Sequence, residues 1–179
     1  MRIDIDGAPL RALVRDIRDF PRPGIVFKDV TPLLLDPAAF STAVDAIVVR
    51  FGRGSVDKVV GIEARGFILA APVAYHFGAG FVPLRKAGKL PGPTRSVAYE
   101  LEYGSETLEV HADAIGPGER VLIVDDVLAT GGPAAAATEL VEASGGVVVG
   151  LAFLIELVAL GGAARIGHRE FVALLRYPE

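Results

Sequence analysis

The sequence contains no cysteine among its 179 residues. Disulfide bonds, thiolate catalysis and metal sites built from cysteine are therefore excluded. A surplus of positive charge is also missing, because 18 lysines and arginines face 22 acidic residues, for a formal net charge of -4. General nucleic-acid binding would require a basic face. We therefore expect any phosphate site in this protein to be local and not a property of the whole surface.

Long hydrophobic runs are absent too. The apolar stretch 147–155 is far shorter than the roughly 20 residues that a membrane-spanning helix needs. The N-terminal segment alternates charged with apolar side chains and lacks the hydrophobic region of a signal peptide. Histidine is scarce, and His76, His111 and His168 do not follow the spacing of metal ligands. We therefore expect a soluble, cytoplasmic protein without a histidine metal site.

The chain is rich in residues that form a buried sheet. Hydrophobic residues make up 51% and charged residues 22% of the sequence, a globular balance that leans apolar. The patterns predict helices over 8–19, 38–51, 66–77 and 133–143, and strands over 58–62, 80–84, 97–101, 107–110, 121–124, 147–154 and 171–175. This alternation is typical of an α/β fold with a mostly parallel central sheet flanked by helices. Without a repeat or a linker, residues 1–179 are predicted to form one domain.

The most informative segment is VLIVDDVLATGG, residues 121–132. An apolar strand leads into Asp125 and Asp126, and a turn of small residues leads into a helix. Ligands of open α/β sheets bind at the carboxyl ends of strands, and a glycine-rich turn at a helix N-terminus favours a phosphate. The carboxylates can accept hydrogen bonds from a ribose diol. The segment therefore predicts a ribose 5-phosphate site, and the absence of GxxxxGK[ST] argues against a P-loop NTPase.

The same segment resembles the phosphoribosyl pyrophosphate motif of type I phosphoribosyltransferases. Three other segments resemble the adenine phosphoribosyltransferase family: PRPGIVFKDVTPLL (21–34), GIEARGF (61–67) and RKAGKLPGPTRSVAYELEYGSETLEV (85–110). The resemblance implies the type I phosphoribosyltransferase fold, with a small N-terminal hood arm over about residues 1–36 that contributes to the base pocket. It also implies a pentosyltransferase that makes AMP and pyrophosphate from adenine and phosphoribosyl pyrophosphate in purine salvage. A homodimer is implied as well, and the apolar excess agrees with a subunit interface.

The resemblance assigns the 5'-phosphate to the turn after the strand, residues Ala129, Thr130, Gly131, Gly132 and Pro133. The last of these departs from the family, which usually has a threonine at this position as a phosphate ligand. Proline has neither a hydroxyl group nor an N–H. We therefore expect this chain to hold the 5'-phosphate more weakly.

Cationic side chains follow two other predicted strands. Arg65 comes after the strand 58–62 and should lie at the same edge of the sheet as Asp125, where its guanidinium can clamp a pyrophosphate. A surface arginine near a helix is an equal alternative, and the resemblance favours the pyrophosphate and catalytic role. The same task is expected of Arg85, Lys86 and Lys89. Magnesium is implied too, held mainly by substrate pyrophosphate oxygens and water and not by protein side chains.

A short irregular arm at 23–37 is expected to hold the base. The ring of Phe27 can stack on a purine, with Val26 and Lys28 beside it, although Phe27 taken alone fits a residue that packs on the core. Glu156 and Leu157, which follow the strand 147–154, are expected to cover the other face of the base.

The segment 86–106 is expected to form a flexible loop that closes over the site and excludes water from a positively charged ribosyl transition state. It contains Glu102 and Tyr103. Attack by N9 of adenine makes N7 more acidic, and a carboxylate of the loop could take this proton. A solvated charge is the alternative for Glu102, and the resemblance of LEYG to the family favours the role of proton acceptor. Glu106 and Glu109 are interpreted as solvated charges of a hairpin.

Two other functions remain open at this point. One is transfer to a 6-oxo purine such as xanthine or hypoxanthine, although PGIVFKD resembles the adenine branch. The other is a non-catalytic regulator that senses phosphoribosyl pyrophosphate or a purine. Such regulators usually carry a DNA-binding domain, and the sequence offers no basic recognition helix.

The role of Glu102 leads to a testable prediction. Glu102→Gln should leave adenine binding intact and lower turnover by about 100- to 10,000-fold, the usual effect of losing a general base. Glu102→Leu should be at least as severe because it also removes the hydrogen-bond acceptor. Steady-state turnover at saturating substrates is the measurement. Turnover close to that of the wild type in both variants would contradict the role.

Overall fold

The computed structural model describes residues 7–100 and 104–178. The strands in chain order are β1 (Arg15–Arg18), β2 (Val26–Asp29), β3 (Lys58–Ile62), β4 (Gly80–Lys86), β5 (Thr94–Glu100), β6 (Ser105–His111), β7 (Arg120–Leu128), β8 (Val147–Leu157) and β9 (Phe171–Tyr177). The helices are α1 (Ala8–Arg11), α2 (Thr31–Leu35), α3 (Pro37–Phe51), α4 (Gly66–Phe77), α5 (Gly132–Ala143) and α6 (Gly162–Arg165), with a 3₁₀ turn at Val158–Leu160. None of the helices in these two ranges is long and apolar enough to cross a membrane.

Seven of the strands form one sheet in the order β5-β6-β4-β3-β7-β8-β9. The strands from β4 to β9 in this order are parallel to their neighbours, whereas β5 and β6 form an antiparallel hairpin at one edge. Helices connect the parallel neighbours, with α4 between β3 and β4 and α5 between β7 and β8. The predicted α/β class with a mostly parallel sheet is confirmed.

The core lies on both faces of this sheet. Along β7, Leu122 and Val124 pack with α3 and α4 on one face. Val121 and Ile123 pack with α5 on the other face. Successive side chains of a strand point to opposite faces, so a strand covered on both sides needs a continuous apolar run. That requirement explains the apolar sequence VLIV of β7.

Two buried strands are longer than their apolar runs. The run of β7 ends at Val124, but the strand continues through Asp125 and Asp126 to Leu128 and pairs with β8 along this length. The carboxylates therefore lie within β7, whereas the sequence predicted that they follow the end of the strand. Similarly, β8 continues to Leu157. Hydrogen bonds to a neighbouring strand keep a segment extended whatever the polarity of its side chains. A pattern of apolar residues therefore does not predict where such a strand ends.

The prediction of a helix over 8–19 is wrong. Only Ala8–Arg11 is helical, and Arg15–Arg18 forms β1, which pairs antiparallel with β2. The charged side chains that suggested the polar face of a helix instead pair across these two strands. Arg15 contacts Asp29 at 2.6 Å and Lys28 contacts Asp16 at 2.7 Å.

The N-terminal arm and the polar loop are also more regular than expected. The segment 23–37 was predicted to be irregular, but it contains β2 and α2. The segment 86–106 was expected to form a loop, but β4 ends at its first residue and β5 lies within it. The irregular connection between these two strands is limited to residues 87–93.

Candidate active site

The described residues enclose a cavity of about 810 Å³ at the carboxyl ends of β3, β7 and β8. Most of the residues predicted from the sequence line it: Val26, Phe27, Lys28, Arg65, Lys86, Lys89, Asp125, Asp126, Ala129, Pro133 and Leu157. These residues come from five separate segments of the chain. Parallel strands of one sheet end at the same edge, so the fold brings these segments together.

An ion pair joins the ends of β3 and β7. The two strands are parallel neighbours up to Gly61 and Val124, so the residues that follow lie side by side. Arg65 Nε lies 2.5 Å from a carboxylate oxygen of Asp126, which is only 6% exposed, whereas half of the Arg65 side chain is exposed. One partner is therefore fixed in the protein, and the other can turn toward a ligand.

Gly66 permits the close approach of α4 to β7. A Cβ atom at Gly66 would lie 2.7 Å from Asp125 Oδ1 and 3.0 Å from the carbonyl oxygen of Val124. Real Cβ atoms do not come this close to a neighbour, so only glycine fits at the start of this helix. The glycine of the segment EARGF therefore sets the distance between Arg65 and the two aspartates.

The two aspartates have different environments. Asp125 Oδ1 accepts a hydrogen bond of 2.9 Å from the backbone N–H of Asp126. Burial raises the pKa of Asp125 well above its usual range, and the negative charge of Asp126 raises this pKa further. Hydroxyl groups of a ribose could donate to these oxygens without adding charge to the pair. The arrangement therefore suits a diol better than it suits a second anion.

The turn after β7 has the features of a phosphate site. Gly131 has a φ of 80°, and a Cβ there would lie 2.5 Å from the carbonyl oxygen of Gly162. The N–H groups of Thr130, Gly131 and Gly132 donate to no backbone carbonyl within 7–100 and 104–178. These free donors lie at the N-terminus of α5, where the helix dipole attracts an anion. Pro133 lies in the first turn of this helix.

A buried carboxylate organises the cations at the opposite side of the cavity. Glu63 accepts hydrogen bonds from Lys89 Nζ and, at 2.8 Å, from the backbone N–H of Lys86. Burial alone would raise the pKa of Glu63, but these bonds outweigh it and lower the pKa to about 2. Arg85 contacts the same carboxylate at 3.3 Å and does not line the cavity. Lys86 and Lys89 are thus better placed than Arg85 for a ligand.

The interpretation of Glu106 as a solvated charge is wrong. Lys86 Nζ donates to it at 2.7 Å, and the hydroxyl group of Tyr99 donates at 2.8 Å. The hydrogen bond from Lys86, followed by that from Tyr99, lowers the pKa of Glu106. Burial and the same hydrogen bond raise the pKa of Tyr99. Antiparallel pairing places Tyr99 directly opposite Glu106, a register that the sequence alone did not reveal.

The N-terminal arm covers the cavity above Arg65. The guanidinium carbon of Arg65 lies 5.3 Å from the ring centre of Phe27, and Phe20 meets that ring edge-on at 5.2 Å. Lys28 Nζ lies 4.5 Å from the ring centre of Tyr177 at the end of β9. The arm is therefore held partly by contacts between cations and aromatic rings.

The two residues predicted at the end of β8 differ in position. Leu157 lines the cavity. Glu156 is buried and accepts a hydrogen bond of 2.7 Å from Arg176 Nε, so its carboxylate is directed to β9 and not to the base. Successive side chains of a strand point to opposite faces, which explains why Glu156 and Leu157 have different surroundings.

Two predicted residues, Glu102 and Tyr103, lie outside the described residues. The sequence reasoning missed eight cavity residues that the structure reveals: Ile25, Ile62, Glu63, Ala64, Tyr99, Glu106, Leu108 and Val127. Glu63 lies in the segment GIEARGF, directly after an apolar strand. A charged residue at this position could have indicated that it belongs to the site. No group of three or more histidine, aspartate or glutamate side chains in the described part of the chain could hold a metal ion.

Comparisons with known proteins agree with this geometry. Residues 39–170 match the family model of the phosphoribosyl transferase domain. The adenine phosphoribosyltransferase of Acidothermus cellulolyticus is 62% identical over 170 residues, which are 95% of this chain and 96% of the relative. The crystal structure of adenine phosphoribosyltransferase from Rhodothermus marinus superposes with a TM-score of 0.90 at 51% identity, covering 95% of this chain and 97% of the other.

A second solved structure carries ligands. Adenine phosphoribosyltransferase from Saccharomyces cerevisiae, complexed with D-2,5-dideoxy-2,5-imino-altritol 1,6-bisphosphate and adenine, has a TM-score of 0.90 at 39% identity. The match covers 94% of this chain and 98% of the yeast chain.

The Lys86–Glu106 pair leads to a testable prediction. Glu106→Gln should free the ammonium group for an anionic ligand while the amide oxygen still accepts from Tyr99. Partly exposed ion pairs are worth about 0.2–1 kcal/mol, so affinity for pyrophosphate should rise by about 1.4- to 5-fold. Glu109→Gln is the matched control, because Glu109 accepts a bond from the N–H of Gly88 and pairs with no lysine. Inhibition by pyrophosphate is the measurement, and weaker inhibition of the Glu106 variant would contradict the prediction.

Proposed function

We propose that this chain, which belongs to the adenine phosphoribosyltransferase family, transfers the 5-phosphoribosyl group of phosphoribosyl pyrophosphate to adenine and releases AMP and pyrophosphate. The observation that carries the proposal is the juxtaposition of Asp125, Asp126 and the free N–H groups of the following turn at one edge of the sheet. A ribose 5-phosphate would offer its diol to the carboxylates and its phosphate dianion to the N–H groups.

The two aspartates would bind the ribose diol. Asp126 is paired with Arg65. Hydroxyl groups of the ribose can replace the guanidinium as donors to this carboxylate. Arg65, whose side chain is half exposed, would then be released to bind the pyrophosphate through its bidentate fork. The proposed roles of Arg65, Lys86 and Lys89 are thus to stabilise the negative charge of the departing group.

The base would lie between the arm and the end of β8. Phe27 and Leu157 line the cavity and offer apolar contacts to its two faces, and Val26 and Lys28 lie beside Phe27. During the transfer, N9 of adenine forms a bond to C1' as the bond from C1' to the pyrophosphate oxygen breaks. Glu102 would take the proton that leaves N7. Holding both substrates in one cavity supplies much of the rate increase through their orientation.

Magnesium would enter as part of the substrate. The described residues offer no cluster of carboxylates that could form a metal cage, and one of the two aspartates is engaged by Arg65. This donor set fits a metal held by pyrophosphate oxygens and water, the usual arrangement for magnesium. When bound, the ion neutralises charge on the pyrophosphate.

We also propose that the whole chain is one domain that works as a homodimer in the cytoplasm and serves purine salvage. Exposed apolar side chains on α4 and β4 support an interface between copies: Ile68 is 44%, Tyr75 83% and Phe81 39% exposed. Large exposed apolar groups near one another mark interaction surfaces. Sedimentation of the purified protein tests this part of the proposal.

The function itself is tested by incubating the protein with phosphoribosyl pyrophosphate, magnesium and radiolabelled adenine. Labelled AMP should form, and pyrophosphate should appear in equal amount. Parallel reactions with hypoxanthine and xanthine test the alternative substrates. A higher catalytic efficiency with either of these bases, or binding of the substrates without turnover, would contradict the proposal.

Arg65 provides a prediction about substrate binding. Arg65→Ala should weaken binding of phosphoribosyl pyrophosphate and of pyrophosphate by about tenfold or more, the effect of losing one hydrogen bond to a charged group. Adenine binding should change much less. Arg65→Lys keeps the charge without the fork and should show an intermediate loss. Titration of each variant with the three ligands is the measurement, and equal weakening of all three would indicate a structural role instead.

A further inference from the structure

The short helix α6 packs closely against the proposed phosphate turn. A Cβ atom at Gly162 would collide with the carbonyl oxygen of Ala129, and a Cβ at Gly131 would collide with the carbonyl oxygen of Gly162. Glycine at both positions lets the two backbones touch. This contact fixes the last residue of α6, Arg165, next to the turn.

The Arg165 guanidinium lies beside the N-terminus of α5. Its Nη1 atom is 3.4 Å from the position that a Cβ of Gly132 would occupy, and its own Cβ is 3.0 Å from the corresponding position at Gly131. The side chain is exposed. Arg165 therefore reaches the two glycines whose N–H groups are free to bind an anion, although it does not itself line the cavity.

Among the residues that the structure describes, Arg165 differs from the neighbouring arginines in having no acidic partner. Arg169 pairs with Glu142 at 2.8 Å, and Arg176 pairs with Glu156 at 2.7 Å. Within the described ranges, Arg165 forms no ion pair and no side-chain hydrogen bond. No existing ion pair must break when its charge turns to a ligand.

Pro133 leaves the phosphate turn short of a donor. Its ring occupies the first turn of α5, and proline has neither a side-chain hydroxyl nor an N–H to offer a phosphate. We propose that Arg165 is a 5'-phosphate-binding residue that supplies the donor which Pro133 cannot. This inference rests on the proposed function, because it assumes that a ribose 5'-phosphate occupies the turn.

Arginine suits this task because its planar guanidinium offers parallel N–H groups to two oxygens of a phosphate. The phosphate dianion would then meet backbone donors and the dipole of α5 on one side and a full positive charge on the other. The contact concerns only the 5'-phosphate. It should therefore contribute to the binding of AMP and phosphoribosyl pyrophosphate, and not to the binding of adenosine or free pyrophosphate.

The experiment compares Arg165→Ala with the wild type by titration with AMP, adenosine and pyrophosphate. Affinity for AMP should fall by about tenfold or more, as expected for a hydrogen bond to a charged group, while the other two affinities stay unchanged. Arg165→Lys should recover part of the loss. Arg53→Ala is the control for net charge, because Arg53 is exposed in the turn before β3, at the opposite edge of the sheet. It should bind all three ligands as the wild type does.

Pro133→Thr makes the test specific. The restored hydroxyl should tighten AMP binding, and the loss caused by Arg165→Ala should be smaller in the Pro133→Thr background, because the two groups serve the same phosphate. Equal losses of AMP affinity in both backgrounds would contradict the proposal that Arg165 supplies the donor that Pro133 cannot.

The outcomes separate this inference from the proposed function. Unchanged AMP affinity in Arg165→Ala, in a protein that converts adenine to AMP, would overturn the role of Arg165 and leave the function standing. Equal weakening of AMP and adenosine would also overturn it, since that result indicates a structural role. A wild-type protein that forms no AMP would contradict the proposed function itself.

Discussion

The site depends on the parallel alignment of β3 and β7. Because these strands are neighbours in register, the residues that follow Ile62 lie beside the two aspartates of β7, and Arg65 reaches Asp126 at 2.5 Å. Neither strand could supply this arrangement alone. Gly66 sets how closely α4 approaches β7. The relative positions of Arg65, Asp125 and Asp126 follow from this alignment.

A second feature of the cavity is that carboxylates of the protein neutralise its cationic side chains. Asp126 forms an ion pair with Arg65, Glu63 with Lys89, and Glu106 with Lys86. Such pairing lowers the cost of gathering several cations in one cavity before the anion arrives. An anionic substrate would exchange protein carboxylates for its own oxygens. Binding would therefore rearrange existing ion pairs more than it would create new ones.

Much of this could be predicted from the sequence where a local pattern determines the structure. The boundaries of α4 and β3 follow from apolar periodicity, and the segment LATGG indicated the turn between β7 and α5. Prediction failed where distant pairing decides. The segment that contains Arg15 and Asp16 was wrongly predicted to be helical. The sequence does not show that their partners, Asp29 and Lys28, lie on a neighbouring strand. Glu106 was misread for the same reason, since Tyr99 and Lys86 reach it only across the hairpin.

The central claim is that the carboxylates of Asp125 and Asp126 bind the ribose diol, and changing both to Asn tests it most directly. The change keeps the shape and removes the charge. Two lost hydrogen bonds to charged acceptors should lower kcat/KM for phosphoribosyl pyrophosphate by at least about 100-fold. Thermal stability should be kept, because the change removes the buried charge at Asp125 and its repulsion by Asp126, the two effects that raise the pKa of Asp125. Asp45→Asn, on the exposed face of α3, is the control. Near-normal kcat/KM in the double variant would contradict the account.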